Sequence, residues 1–173
     1  MLNITFPINE EWRSINGYLQ YQISNIGRVR DISGRILRPH HNNKYQTITL
    51  KRDGVCNIKL IHRLVANEFI PNPLNKPIVD HINHNTNENH TNNVRLATYQ
   101  ENSMNTQKQR NATSNYYKGV YFNKPANKWL VRIHHNGVSN HIGYFENEID
   151  GARAYNEKAV ELFGGYACLN DIP

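Results

Sequence analysis

The chain has 173 residues, with 20 Lys and Arg against 14 Asp and Glu, so its formal net charge at pH 7 is +6. This length holds one ordinary domain or two to three small modules, and the positive charge indicates a polyanionic partner rather than a membrane. Cys56 and Cys168 are far apart, which argues against a disulfide scaffold and a structural zinc site and fits a reducing cytoplasm. The sequence predicts no signal peptide and no transmembrane segment.

The first segment, residues 10–61, is predicted to be rich in β-strands, with a hairpin that turns at Asp53-Gly54. Eight Lys and Arg residues lie within residues 12–52, against one acidic residue, Asp31. A solvated surface usually mixes the two signs, so this excess indicates a surface that attracts a polyanion. The residues singled out for such contact are Arg28 and Arg30.

A short apolar stretch, Leu64–Phe69, is predicted to be a helix that ends before the prolines at positions 71, 73 and 77. His62 lies just before this predicted helix. Two roles are open for its imidazole: a fifth group of a nearby functional site, or a packing or capping group. The second role is favoured.

The stretch Ile78–Asn105 combines two short strands, a polar loop rich in Asn, and a helix. A β-branched run beginning at Ile78 ends in an Asp-His pair, and a second run, residues 93–96, follows the loop. Residues 98–101 have the form of a capping box that starts a helix. Alternation along the strands and the turn of the helix can bring four polar side chains together. These are Asp80, His81, Asn93 and Asn102.

This set of side chains suits metal-assisted hydrolysis of a phosphodiester. The carboxylate of Asp80 and an Asn amide oxygen are hard ligands that suit Mg²⁺. A neutral His81 can take a proton from an attacking water, and a second Asn can bond to the other imidazole nitrogen and fix its tautomer. Two simpler interpretations compete. The Asn residues can be turn residues only, and a calcium loop of EF-hand type would need a Gly and a terminal Glu that are missing at the required offsets.

The same residues resemble the ββα-metal core of HNH endonucleases, in particular the Asn-terminated variant of phage and intron-encoded homing endonucleases. By this resemblance, Asp80 and Asn102 are the metal ligands and His81 is the general base. Asn93 matches the central Asn that orients the base. The resemblance implies a divalent metal, Mg²⁺ or Mn²⁺, and double-stranded DNA as the partner.

Three flanking stretches extend the resemblance. Residues 62–66 and 69–73 are similar to the lead-in of the HNH core, and residues 12–30 are similar to a small DNA-binding sheet that often precedes it. Residues 106–114 are polar, have no apolar period and are predicted to form a basic linker. In this setting its basic residues, Lys108 and Arg110, are expected to follow the minor groove of DNA.

The final segment is predicted to be a three-stranded antiparallel sheet with one helix packed on it. Alternating runs at 117–122, 128–134 and 139–145 are separated by turn signals. Residues 148–163 carry apolar side chains at helical spacing, and Gly164-Gly165 ends that helix.

Residues 115–171 resemble the DNA-binding domain of the Apetala/ethylene-response-factor type through the motifs Lys-Gly-Val, Lys-Trp, Gly-Tyr-Phe and Ala-Arg-Ala-Tyr-Asn. In that family the sheet lies in the major groove and its outward side chains touch bases and phosphates. Several matching positions hold Arg or Trp in the plant factors, so the resemblance implies a different target here. The implied contact residues are Lys118, Tyr121, Asn123, Arg132, His134, Ser139 and His141.

The sequence thus predicts an α+β protein in four parts: a β-rich DNA-binding module (1–61), an HNH nuclease core (62–105), a basic linker (106–114) and a sheet-plus-helix DNA-binding domain (115–173). The predicted function is site-specific, metal-dependent nicking or cutting of double-stranded DNA by a monomer in the cytoplasm, without structural zinc. The alternative is a catalytically silent, sequence-specific DNA-binding regulator that keeps the core as a scaffold.

Overall fold

The computed structural model describes residues 9–108 and 116–173, which belong to two compact units. The first unit ends at Thr98 and the second begins at Tyr99. This boundary falls inside the predicted nuclease core, so the last helix of that core groups with the C-terminal sheet. Arg110, one of the predicted DNA contacts, lies outside the described residues.

Two three-stranded antiparallel sheets make up most of the first unit, and in each the strands pair in chain order. The first sheet contains β1 (Trp12–Ile15), β2 (Tyr18–Ser24) and β3 (Val29–Asp31), and the second contains β4 (His40–Asn42), β5 (Tyr45–Arg52) and β6 (Val55–Leu60). The hairpin predicted at Asp53-Gly54 joins β5 to β6, and both turn residues have positive φ angles, 51° and 81°.

Helix α1 (Ile61–Phe69) packs against both sheets through its apolar face. Ile61 and Val65 are almost fully buried in a core that also contains Ile23 and Leu50. The helix follows β6 without a loop. His62 therefore lies in the first turn of α1, and the prediction that it precedes the helix is wrong.

A two-stranded antiparallel ribbon completes the described part of the first unit. Its strands are β7 (Ile78–His81) and β8 (Val94–Ala97), and the register pairs Asp80 with Arg95. The predicted order of strand, polar loop and strand is present.

The second unit consists of a short helix, a three-stranded antiparallel sheet and a long helix. These are α2 (Tyr99–Met104), then β9 (Val120–Asn123), β10 (Lys128–His135) and β11 (Val138–Phe145) with β10 in the centre, and α3 (Glu148–Phe163), followed by a short 3-10 turn (Gly164–Tyr166). Val131 and Ile133 of the sheet pack against Ala152, Tyr155 and Ala159 of α3. This burial of apolar area holds the unit together.

Local signals explain the bounds of α3, which begins and ends where the sequence predicted. The side chain of Asn147 accepts a hydrogen bond of 2.8 Å from the Asp150 amide, a typical N-cap contact. At the other end Gly164 has a φ of 51°, which favours glycine after a helix. Close packing requires a glycine at position 119, because a Cβ at Gly119 would lie 2.1 Å from a ring carbon of Tyr155.

The α+β class predicted from the sequence is confirmed. Among residues 9–108 and 116–173, no helix has the length and apolar character needed to cross a membrane.

Candidate active site and DNA-binding surfaces

Asp80 is held in place by an ion pair across the two-stranded ribbon. Its Oδ2 accepts a hydrogen bond of 2.9 Å from Nε of Arg95, and a second Arg95 nitrogen, Nη2, lies 2.9 Å from the same oxygen. Asp80 is 8% exposed. Because burial of a charge is costly unless the charge is paired, Arg95 offsets that cost and also fixes the position of the carboxylate.

His81 begins a chain of hydrogen bonds that reaches strand β5. Its Nε2 lies 3.0 Å from Oδ1 of Asn89, and Nδ2 of Asn89 donates a bond of 2.8 Å to Oε1 of Gln46. An amide oxygen can only accept, so this contact places the proton of a neutral imidazole on Nε2. In that tautomer the lone pair of the ring is on Nδ1.

His62 and Tyr45 surround the imidazole of His81. The His62 ring centroid lies 5.0 Å from that of His81 and 4.8 Å from that of Tyr45. Burial, and to a smaller extent electrostatic interaction with His81 and Arg63, lowers the pKa of His62 to about 4, so its side chain is neutral at pH 7. Its Nδ1 has no hydrogen-bond partner among the residues that the structure describes.

The loop between β7 and β8 is braced by its own amide side chains. Oδ1 of Asn93 accepts from the backbone amide of Asn83 at 3.0 Å, and Nδ2 of Asn93 donates to the carbonyl oxygen of Glu88 at 2.9 Å. The Glu88 carboxylate accepts from the side chains of Asn83 and Asn85 at 2.7 and 2.6 Å. Asn93 therefore holds the loop in the conformation that presents Asn89.

Asn89 contacts the candidate base His81 and was not singled out from the sequence. The sequence assigned the orientation of His81 to Asn93; in the structure Oδ1 of Asn89, which is 3% exposed, lies 3.0 Å from Nε2 of the imidazole. Nothing in the run of Asn residues distinguishes Asn89, because its inward direction depends on Gln46, which lies 43 positions away in the chain.

Asn102 lies in α2, is half-buried and belongs to the second unit. Its amide oxygen, like the Asp80 carboxylate, is a hard donor of the kind that suits Mg²⁺ or Mn²⁺. Within the described ranges no group of three or more His, Cys, Asp or Glu side chains is arranged to hold a metal.

The two arginines predicted to contact DNA in the N-terminal module differ in their neighbours. Arg28 forms a two-fold ion pair with Glu10, and this pairing lowers the pKa of the Glu10 carboxyl. Arg30 lies 4.1 Å above the ring of Trp12 and donates a bond of 2.8 Å to Gln22, an uncharged partner. The positive charge of Arg28 is therefore partly neutralised by Glu10, whereas the Gln22 partner of Arg30 carries no charge that would neutralise it.

One face of the C-terminal sheet carries most of the predicted DNA contacts. On β10, Val131 and Ile133 pack toward α3, so alternation turns Arg132 to the opposite face. The antiparallel register places the cross-strand neighbours of the outward residues on that same face. The predicted contacts found there are Tyr121, Asn123, Arg132, His134, Ser139 and His141. All are exposed except Asn123, which is half-buried.

Lys118 and Lys108, both predicted to contact DNA, donate hydrogen bonds to backbone carbonyls of the second unit. Nζ of Lys118 donates to the backbone carbonyls of Met104 at 3.0 Å and Thr106 at 2.7 Å. Nζ of Lys108 donates to the carbonyl of Tyr117 at 2.8 Å. Burial lowers the pKa of both ammonium groups. A motif match assigned Lys118 to the outward face of the sheet. In the structure Lys118 lies before β9, and its ammonium group contacts carbonyl oxygens at the end of α2.

Comparisons with known proteins point to one group of enzymes. Residues 10–51 match the family model described as the NUMOD4 motif. Two uncharacterized HNH endonucleases of Acanthamoeba polyphaga mimivirus are 36% and 37% identical to this chain over 114 and 100 residues. These matches cover 66% and 54% of this chain, and 56% and 25% of the relatives.

A phage enzyme is similar in both sequence and structure. DNA endonuclease I-HmuI of Bacillus phage SP01 is 37% identical over 99 residues, which cover 55% of this chain and 56% of the phage protein. The solved structure of the HNH homing endonuclease I-HmuI, described as showing DNA binding and cleavage, matches with a TM-score of 0.52 at 36% identity. It covers 55% of this chain and 56% of that chain. This chain spans about half the length or less of the curated relatives that it matches.

Proposed function

We propose that this chain is an HNH-type DNA endonuclease that hydrolyses phosphodiester bonds with His81 as the general base. The observation that carries the proposal is the buried Asp80-His81 pair at the end of β7, where Arg95 holds the carboxylate and Asn89 holds the imidazole. Similarity to HNH endonucleases and to the I-HmuI structure supports the same activity. A purely structural loop has no need of a fixed acid beside a fixed base.

In this mechanism Nδ1 of His81 accepts a proton from the attacking water, while Nε2–H remains hydrogen-bonded to Asn89. The water oxygen then forms a bond to phosphorus as the bond to the leaving oxygen breaks. Asn89 and Gln46 keep the ring in one orientation through the reaction. The neutral state of His62 helps, because a second imidazolium beside His81 would oppose the gain of a proton.

Asp80 and Asn102 would hold the divalent cation, Mg²⁺ or Mn²⁺. When bound, that cation would supply positive charge that stabilises the charge developing on the phosphate. Arg95 contributes by fixing Asp80, since a ligand held in one position loses less entropy when the cation binds. Asn93 contributes by bracing the loop that carries Asn89.

Double-stranded DNA is the proposed substrate, and the chain would read it at two places. Arg28 and Arg30 would contact phosphates from the N-terminal module, and the outward face of the C-terminal sheet would contact both base edges and phosphates in the major groove. The resemblance of residues 115–171 to ethylene-response-factor domains supports the proposal that this sheet contacts DNA. A single nuclease core acting as a monomer, inside the cell, would nick one strand of a specific site.

Incubation of the purified chain with supercoiled plasmid, in Mg²⁺ or Mn²⁺ and in excess EDTA, tests the proposal. Metal-dependent conversion to nicked circles is the expected result, and His84→Ala, which alters another histidine of the same loop, should nick at the wild-type rate. Linear product as the first species would indicate that two copies act together. Binding without cleavage in either metal would contradict the proposal and favour the catalytically silent regulator.

A further inference from the structure

Helix α2, which carries Asn102, has only six residues, Tyr99–Met104, and none of them is fully buried. Helices of this length are not stable by themselves in water, because nucleation costs more than so few hydrogen bonds return. The order of α2, and with it the position of Asn102, therefore depends on what the helix contacts in its own unit.

The C-terminal end of α2 is held by Lys118. The ammonium group donates to the carbonyl oxygens of Met104 and Thr106, at 3.0 and 2.7 Å. The last carbonyls of a helix have no partner within it, and a lysine that reaches them satisfies them and also complements the negative end of the helix dipole. Desolvation of this ammonium lowers its pKa, as expected for a charge used inside the unit rather than at its surface.

Two further contacts tie α2 to the C-terminal sheet and helix. The side chain of Gln100 donates to the side chain of Asn136, in the turn between β10 and β11. Met104 packs against the apolar cluster that includes Val120 and Phe163. Each end of α2 is therefore attached to the sheet-plus-helix module.

We propose that Lys118 is a positioning residue for metal binding: by holding the end of α2 it fixes Asn102, so that the C-terminal module serves cleavage as well as DNA reading. This inference rests on the proposed function, because it takes Asn102 as a metal ligand. It gives Lys118 a role that a DNA-contacting lysine would not have. Removal of its ammonium group would weaken metal binding and leave DNA affinity nearly unchanged.

The test compares the full chain with Lys118→Met, which keeps the aliphatic stem and removes the donor. The matched control is Lys158→Met on α3, where the lysine pairs with Glu161 at the surface. Hydrogen exchange at the Asn105 amide, which donates to the Glu101 carbonyl at 3.3 Å, reports the order of α2. Electron paramagnetic resonance of Mn²⁺, with a short DNA duplex present, reports metal affinity without requiring cleavage.

In Lys118→Met, exchange at Asn105 should rise about 10-fold, the effect of losing about 1.4 kcal/mol of local stability, while exchange within α3 stays unchanged. Mn²⁺ affinity should fall about 10-fold, as is usual when a group that positions a ligand is removed. Lys158→Met should match the wild type in both measurements. If Lys118→Met does not fold, Asn136→Gly removes the tie at the other end of α2 from a turn residue whose φ is 53°, which glycine adopts freely.

Unchanged exchange at Asn105 or unchanged Mn²⁺ affinity in a folded Lys118→Met chain would overturn the inference. Faster exchange with wild-type Mn²⁺ affinity would make Lys118 a structural residue only, which also overturns it. The proposed function fails separately. A wild-type chain that binds Mn²⁺ through an ordered α2 and never cleaves DNA would leave the inference standing and remove the endonuclease.

Discussion

At the scale of residues, Asn89 is a hydrogen-bond partner of the His81 imidazole, at Nε2. Asn89→Leu keeps a similar volume and removes both the bond to His81 and the bond to Gln46. We expect cleavage to slow by about 10- to 100-fold, the usual effect of removing a partner that orients a reactive group, with DNA affinity unchanged. The measurement is the single-turnover rate beside Asn92→Leu, an exposed position of the same loop. Equal rates for the two variants would remove Asn89 from the site.

His62 makes the stability of the first unit sensitive to acid. Its pKa is about 4 in the folded chain and about 6.5 when the chain is unfolded. The unfolded state therefore binds a proton first as the pH falls, and the free energy of unfolding decreases between pH 6.5 and 4. Between pH 7.5 and pH 5, protonation of His62 in the unfolded state should lower the free energy of unfolding by about 2 kcal/mol. Urea unfolding at these two pH values should show a smaller loss for His62→Phe than for the wild type, and equal losses would contradict the assignment.

At the scale of elements, the ribbon and α2 supply the two proposed metal ligands. Asp80→Asn keeps the shape of the side chain but removes the anion, and Asn102→Ala removes the amide oxygen, so either change should abolish cleavage at millimolar Mg²⁺. Asn102→Asp should retain activity, because it places an anionic oxygen at the same reach. The measurement is cleavage rate against metal concentration. Full activity of the wild type in excess EDTA would rule out a metal at these residues.

Elements with local signals could be predicted from the sequence, and elements without them could not. Helix α3 was predicted with its bounds because Asn147 caps its start and Gly164 ends it. Helix α1 was predicted to begin too late because its N-cap, Leu60, makes no capping side-chain bond and β6 runs straight into the helix. The site divides in the same way. Asp80 and His81 could be singled out because they end a predicted strand, whereas the proposed roles of Asn89 and Lys118 depend on partners 12 to 43 positions away in the chain.

At the scale of the whole molecule, the net charge is +6, and the basic side chains that contribute to it differ in how accessible they are to DNA. Arg132 is exposed on the outward face of the sheet, whereas Arg28 is paired with Glu10. Removing one arginine from a DNA phosphate should reduce the slope of log affinity against log salt by about one. Arg132→Ala should show that full change and Arg28→Ala a smaller one, as measured by DNA binding at several salt concentrations. Identical slopes for both variants and the wild type would place neither residue on DNA.

The single-turnover rate of His81→Ala on a plasmid that the wild type nicks tests the central claim most directly. Removal of a positioned general base should slow the chemical step by about 10²- to 10⁴-fold while the dissociation constant for DNA stays within about 2-fold of the wild type. His84→Ala, measured in parallel, should retain the wild-type rate. A His81→Ala chain that nicks DNA as fast as the wild type would show that His81 is not the base.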